Sequence, residues 1–295
     1  MTAALNHSPS YPAGIAAERL SDADFARMAA IVIEHTGIKL PPGKKLMVEG
    51  RLRKRLRELR LNSLSDYCRH LFEGDGLKDE LPHLTDAVTT NKTDFFRELE
   101  HFHLLRGRLV PSLLADRRGS ARPRLKVWSA ASSTGAEAYT IAMVLHDMAG
   151  SPQRFQFSIL GTDISNAVLR AAERAVYSRE MIEPVPAEMQ RRYVLHGRTP
   201  AAAREVRIAP ELRSRVRFAH LNLMEPTYPI DRDVDVIFLR NVLIYFERDT
   251  QEQVVTRLAS HLRPGGFLVL GHSESMIGSS LGFAQWAPGV FHKAR

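Results

Sequence analysis

After Gly119 the chain alternates short apolar or β-branched runs with windows of helical periodicity: LKVWSAA, AEAYTIAMVLHDMA, FQFSILGTDIS, AVLRAAERAVY. That order predicts a parallel sheet, because parallel neighbours need a crossover and a covering helix supplies it. The later runs VRFAHLNL, VDVIFLRNVLIYF and GFLVLGHSES continue the pattern. Over 177–215 the alternation stops. Proline, arginine and brief extended runs such as RRYVLHG and REVRIA predict a small inserted β element there.

Ahead of the alternation, from Ser21 to about Leu81, apolar residues recur at helical spacing: Phe25, Met28, Ala29 and Val32, then Leu46, Val48, Leu52, Leu56 and Leu59. Ser21 suits a helix N-cap, and Gly37 with Pro41 and Pro42 separates two helices. The expected organisation is a disordered lead-in over 1–18, a helical domain over 19–80, a linker and helix over 81–119, and a sheet domain over 120–295. With 295 residues and 44% hydrophobic content, each part can bury a core.

The single cysteine, Cys68, excludes an internal disulfide framework, and no Cys/His run has the spacing of a structural zinc site, so no metal is expected. No signal-peptide pattern and no apolar stretch of roughly 18 residues occurs, which predicts a cytoplasmic protein without membrane insertion. A formal charge of +8 points to an acidic partner: nucleic acid, a membrane surface or an acidic protein. The window from Lys44 to Arg60 carries eight of the 41 Lys and Arg, among them Arg51, Arg53, Lys54, Arg55, Arg57 and Arg60.

In LKVWSAASSTGAEAYTIAM a buried strand runs through the small residues Ser129 to Gly135 directly into a helix. Small residues there let backbone N–H groups approach a ligand, although ordinary strand-to-helix packing reads the same way. Neither GxGxxG nor GxxxxGK[ST] is present. The next strand ends at Asp163, at the sheet edge where an acidic residue commonly takes ribose hydroxyls. The alternative for Asp163 is an N-cap on the helix that begins near Asn166.

Together, TTNKTDFFRE, WSAASSTGAEAYTIAM, LGTDIS, RNVLIYF and LRPGGFLVLGHSES resemble the chemotaxis receptor methyltransferase family (CheR), from about Ser21 to Lys293. The resemblance implies an α/β class I methyltransferase (Rossmann-like) sheet with a small β-subdomain insertion, preceded by a helical domain. It also implies S-adenosyl-L-methionine as cofactor, with S-adenosyl-L-homocysteine as product. By the same resemblance Asn91, Thr93, Arg97, Ser129, Ala130, Ala131, Ser132 and Thr134 line the cofactor, and Glu137 meets its amino group. Asp163 takes the ribose or adenine side, Asn222 and Leu223 flank the adenine, and Arg240 and Asn241 complete the site. Arg97, Arg240 and Tyr245 match active-site positions. The family usually reads STGEEPYS where this chain has Ala136 and Ala138 around Glu137, which removes a helix-start charge worth under about 1 kcal/mol.

The implied acceptor is a glutamate carboxylate of a methyl-accepting chemotaxis receptor, on its cytoplasmic helices, with a receptor tail peptide as a further contact. A carboxylate with a pKa near 4.3 is already an oxyanion at neutral pH and needs no general base. The motifs accordingly offer no Ser/His/Asp or Cys/His arrangement. His272 and Glu274 read as structural, and Asn241 reads equally as a loop residue. Arg51, Arg53, Arg55 and Arg57 form a receptor-binding face, a solvated face, or a phosphate-binding face. The rival readings are a nucleic-acid methyltransferase, for which no NPPY-like run occurs, and a non-catalytic docking protein that keeps the cofactor fold.

Overall fold

The computed structural model describes residues 19–117, 119, 122–150, 154–197, 199, 204–278 and 282–294. The lead-in expected over residues 1–18 lies outside the described residues. The chain divides into two compact units, the first ending at Thr89 and the second beginning at Thr90. Among the described residues no helix is long and apolar enough to cross a membrane.

Among the described residues of the first unit are the helices α1 (Asp22–Thr36), α2 (Lys45–Leu59), α3 (Leu64–Phe72) and α4 (Leu77–Val88). Ser21 caps α1, its Oγ accepting from the Asp24 N–H at 3.0 Å, and Gly37 ends it in the left-handed region at φ 72°. Phe25, Met28, Val32, Val48, Leu52, Leu56, Leu64 and Tyr67 pack one core. Leu84, Ala87 and Val88 of α4 join that core, so this unit does not end at residue 80, as the loop-like composition of EGDGLKDE suggests. The glycines there make only the turn between α3 and α4, and Pro82 sits inside α4. Leu46, read as part of the apolar stripe, is 62% exposed.

Two cations of α2 turn inward. Arg55 forks onto Glu80, Nε to Oε2 at 3.0 Å and Nη2 to Oε1 at 2.7 Å, while the Tyr67 hydroxyl donates to the same carboxylate at 3.2 Å. The Glu80 side chain is 2% exposed, so α2, α3 and α4 meet on one buried charge. Burial raises the Glu80 pKa, but the Arg55 hydrogen bonds and charge outweigh it and hold the carboxyl below its usual range. Arg51 donates to the carbonyls of Ala87 and Thr89. Of the other arginines expected to face a partner, Arg53 is half-buried and Arg57 is exposed.

The second unit opens with α5 (Leu99–Leu104), which passes through a π turn (Leu105–Leu109) into α6 (Val110–Ala115). Its main sheet contains β1 (Arg124–Ala130), β2 (Gln156–Asp163), β6 (Val216–His220), β7 (Val234–Leu239), β8 (Leu262–Leu270), β9 (Ala284–Ala287) and β10 (Val290–His292), in the order β6-β2-β1-β7-β8-β10-β9. β10 runs antiparallel to both neighbours, and the rest are parallel. Helices α7 (Ala136–Ala149), α8 (Asn166–Arg174) and α9 (Arg248–His261) make the crossovers after β1, β2 and β7. A separate antiparallel sheet is built from β3 (Val176–Ser178), β4 (Val194–His196) and β5 (Glu205–Ile208), in the order β3-β5-β4. Strand order reverses beside β1, whose carboxyl end therefore opens onto the crevice where doubly wound sheets bind ligands.

Arg55→Ala leaves Glu80 buried without its cation and is expected to destabilise the protein by about 3 kcal/mol, whereas Arg57→Ala, at an exposed position, shifts stability by less than about 0.5 kcal/mol. Urea denaturation followed by helical circular dichroism reads both. Because the folded Glu80 carboxyl titrates below its unfolded value of about 4.3, its stabilisation is complete above that pH and is lost as pH falls through the folded value. Glu80→Gln is expected to flatten this acid limb; an unchanged limb would show that other carboxylates set it.

Candidate active site

β1 ends at Ala130 and the chain turns through Ala131 (φ 54°), Ser133 (φ 51°) and Gly135 (φ 86°) before α7 begins. Only Gly135 is the residue type that favours this region. A Cβ on it would come within 2.9 Å of Ala172 Cβ and Phe218 Cζ, so close packing adds to the backbone requirement. The two strained non-glycine residues are held by their surroundings, at a cost of about 1 kcal/mol or more each. The Ser132 N–H donates to the Thr162 carbonyl at 2.8 Å, the Ser133 N–H to Asp163 Oδ2 at 2.9 Å, and Ser133 Oγ to the Asn91 carbonyl at 2.8 Å. The Tyr177 hydroxyl donates to the Thr134 carbonyl at 2.6 Å. Two buried hydroxyls of this loop, Ser132 Oγ and Thr134 Oγ1, have no hydrogen-bond partner among the described residues.

Asp163 is not the N-cap of α8. Ser165 fills that position, its Oγ accepting from the Val168 N–H at 3.3 Å. The Asp163 carboxylate, 7% exposed, instead accepts from the Ser133 and Ser165 N–H groups, each at 2.9 Å, and ties the loop after β1 to the loop after β2. Its carbonyl accepts from the Leu221 N–H at 3.0 Å, which brings Asn222 and Leu223 alongside. Both are buried. Asn222 Oδ1 accepts from the Met224 N–H at 3.0 Å, and the Leu223 carbonyl accepts from Arg257 and the Tyr228 hydroxyl.

At the end of β7, Arg240 joins two acidic residues. Its Nη1 donates to Glu137 Oε2 at 3.0 Å, and its Nη2 donates to Glu98 Oε2 at 3.2 Å and to the Arg97 carbonyl. The Arg240 side chain is 2% exposed and lies 5.3 Å from the Phe102 ring centroid. Ser129 Oγ donates to Glu137 Oε1 at 2.6 Å, and Asn241 Nδ2 donates to Glu98 Oε1 at 2.9 Å. Burial raises the Glu98 pKa, but Asn241 and Arg240 together hold it below the ordinary value, so the group is a carboxylate at neutral pH. Two carboxylates around one guanidinium leave a formal charge of −1 facing the crevice.

Behind this cluster Glu274, fully buried, accepts from the Asn241, Leu243 and Gly271 N–H groups at 2.8, 2.8 and 2.9 Å. Burial raises its pKa against these donors. Its work is to hold Asn241 in the left-handed region at φ 59°. Tyr245 follows, half-buried, at the end of a 3-10 turn (Leu243–Tyr245).

The structure therefore gathers Asn91, Ser129, Ala130, Ala131, Ser132, Thr134, Glu137, Asp163, Asn222, Leu223, Arg240 and Asn241 at one sheet edge. Thr93 lies half-buried in the segment before α5. Arg97 contributes differently from Arg240: its side chain donates to the Lys92 carbonyl at 3.3 Å in an exposed bond, and its own carbonyl meets Arg240. Glu98 was not singled out from the sequence. Its signal is its place beside Arg97 in FFRE, but only the fold brings it to Arg240. Next to it, His101 is 1% exposed, and burial, ahead of the Arg240 charge, lowers its pKa to about 4.

The family described as CheR methyltransferase, SAM binding domain, matches residues 91–287, and CheR methyltransferase, all-alpha domain, matches residues 23–89. The chain is 39% identical over 257 residues to chemotaxis protein methyltransferase 2 of Pseudomonas aeruginosa, covering 87% of this chain and 88% of that one. It is 38% identical to the chemotaxis protein methyltransferase of Escherichia coli (strain K12), with 87% and 85% covered. Against the protein of that name from Borreliella burgdorferi it is 33% identical, with 87% and 89% covered. A seven-stranded sheet with its crevice beside β1 and a helical unit ahead of it agree with both matches. The chain belongs to the CheR methyltransferase family and is an S-adenosylmethionine-dependent methyltransferase.

Proposed function

We propose that the chain transfers the methyl group of S-adenosylmethionine to glutamate carboxylates of methyl-accepting chemotaxis receptors, forming glutamyl methyl esters. The observation that carries this reading is Arg240, buried between Glu137 and Glu98 at the carboxyl edge of β7, where its guanidinium engages both carboxylates. A net negative cluster suits the ammonium of the cofactor's amino-acid tail. The unpartnered hydroxyls of Ser132 and Thr134 suit its polar portions, and buried Asp163, Asn222 and Leu223 suit the adenosine. The residues present fit the group.

When bound, the cofactor supplies an electrophilic methyl on a sulfonium. A carboxylate acceptor would take that methyl group with no proton to remove, so the crevice residues would bind and orient the two groups without acting as acid or base. Approach geometry and exclusion of water are what the protein has to provide. In this reading Arg240 is a positioning residue, because its two Nη groups are committed to Glu137, Glu98 and the Arg97 carbonyl. Arg97, with its side chain turned outward, receives the acceptor carboxylate, and Tyr245 orients it. On the first unit Arg53, Lys54 and Arg57 attract acidic receptor helices or an acidic tail peptide, whereas Arg51 and Arg55 are occupied within the unit. The direct test is labelled methyl transfer into receptor-containing membranes: a base-labile product supports the ester, and label in nucleic acid or in a base-stable product refutes it.

Asp163→Ala is expected to raise the dissociation constant for S-adenosylhomocysteine by about 10- to 100-fold, as loss of one or two charge-assisted hydrogen bonds requires. Calorimetry measures it, and an unchanged constant removes Asp163 from the site. Tyr245→Phe keeps the ring and is expected to lower kcat by about tenfold with cofactor affinity unchanged; equal losses in both would move Tyr245 into the cofactor pocket. Arg53→Ala with Arg57→Ala is expected to slow receptor methylation severalfold at low salt, a defect that shrinks as salt screens the wild-type advantage. A salt-independent defect would exclude electrostatic docking.

A further inference from the structure

We propose that Glu98, His101 and His272 form a binding site for one divalent transition metal of the zinc class. The three residues come from the residue preceding α5, from α5 itself and from the turn after β8, and one ligand atom from each lies within 4.8 Å of the others. His101 Nδ1 is 3.4 Å from Glu98 Oε2. That is long for a charge-assisted hydrogen bond, yet two ligands bonded at about 2.0–2.1 Å to a tetrahedral zinc stand about 3.3 Å apart.

His101 supplies the second observation. Its side chain is 1% exposed, the Pro288 backbone engages the ring, and Nδ1 faces Glu98 without a hydrogen bond of normal geometry among the described residues. A buried imidazole left in that state is destabilising, and native interiors rarely keep one without a reason. A metal on Nδ1 supplies that reason. The ring is confined on its other side by Gly289, where a Cβ would stand 3.2 Å from Nε2, and His272 packs edge-on to it with centroids 4.8 Å apart.

Glu98 is supported as a metal ligand should be. Asn241 Nδ2 holds Oε1 at 2.9 Å, and Arg240 Nη2 reaches Oε2 at 3.2 Å. An ionised oxygen accepts at two lone pairs, so Oε2 takes a metal without giving up the arginine. Closing a gap of up to 4.8 Å to about 3.3 Å falls to His272, the exposed member of the three. Two imidazoles and a carboxylate leave a fourth position to water, and the bound ion clamps the start of α5 to the turn after β8 through the same Glu98 that braces Arg240.

The test uses the full chain stripped of metal with a chelator and titrated with Zn2+ by calorimetry, alongside Co2+ as an absorption probe. One ion per chain, a tetrahedral cobalt band and a zinc-dependent rise in melting temperature are expected. His272→Ala, a change at an exposed position that leaves the core intact, is expected to weaken binding by tenfold or more and to abolish the band. His101→Ala adds a second reading where it folds. Absence of stoichiometric binding to the wild type overturns the proposal, and so does equal affinity in His272→Ala, which would place the ion on other histidines. These readouts need no methyl transfer, so the site stands or falls independently of the proposed reaction.

Discussion

The second unit is organised around one buried guanidinium. Arg240 leaves the end of β7 with its side chain 2% exposed, and such a charge is tolerated only where carboxylates and carbonyls surround it. Glu137 from the first turn of α7, Glu98 from the residue before α5 and the adjacent Arg97 carbonyl meet that demand, so two other segments are pinned to the end of β7. Asn241, the next residue, repeats the connection to Glu98 and is itself held by Glu274. Removing the arginine would leave two neighbouring carboxylates facing each other, which is why its role is better described as holding the crevice together than as touching a substrate.

Strain accompanies this arrangement. Phe96, Glu98, Ala131, Ser133 and Asn241 all adopt positive φ without being glycine, and each lies in a segment that lines the crevice. A chain keeps such residues where the surroundings over-determine them. The surroundings are visible: Thr140 Oγ1 accepts from the Phe96 N–H at 3.2 Å, Asp163 and Asn91 hold Ser133, and Glu274 holds Asn241.

The fold class was legible because it rests on periodicity. β7 reads as the apolar run VDVIFL and is buried at every position, and LKVWSA and FQFSILGTD likewise fall on the strands that neighbour one another. The helical unit was legible from Phe25, Met28 and Val32, but its extent was not, since a glycine-rich turn within a bundle looks the same as a boundary between domains. The arginine-rich helix was misleading in a similar way. Charge composition shows how many cations α2 carries; it does not show that Arg55 is spent on Glu80, 25 positions away.

Glu98 marks the limit of reading a site from motifs. Spacing finds ligand sets that share an element, such as two histidines one turn apart, and it has no purchase on His272, which meets His101 only because β8 ends beside the start of α5. The same geometry gives Glu98 two sets of neighbours, Arg240 and Asn241 on one side and the histidine pair on the other. A carboxylate that serves both must stay ionised, and burial alone would push its pKa upward. The arginine and the amide reverse that push, so the charge on which either function depends is maintained by the cofactor crevice itself. Whatever binds beside His101 therefore acts on Arg240 through one shared group, without any need for a longer path through the protein.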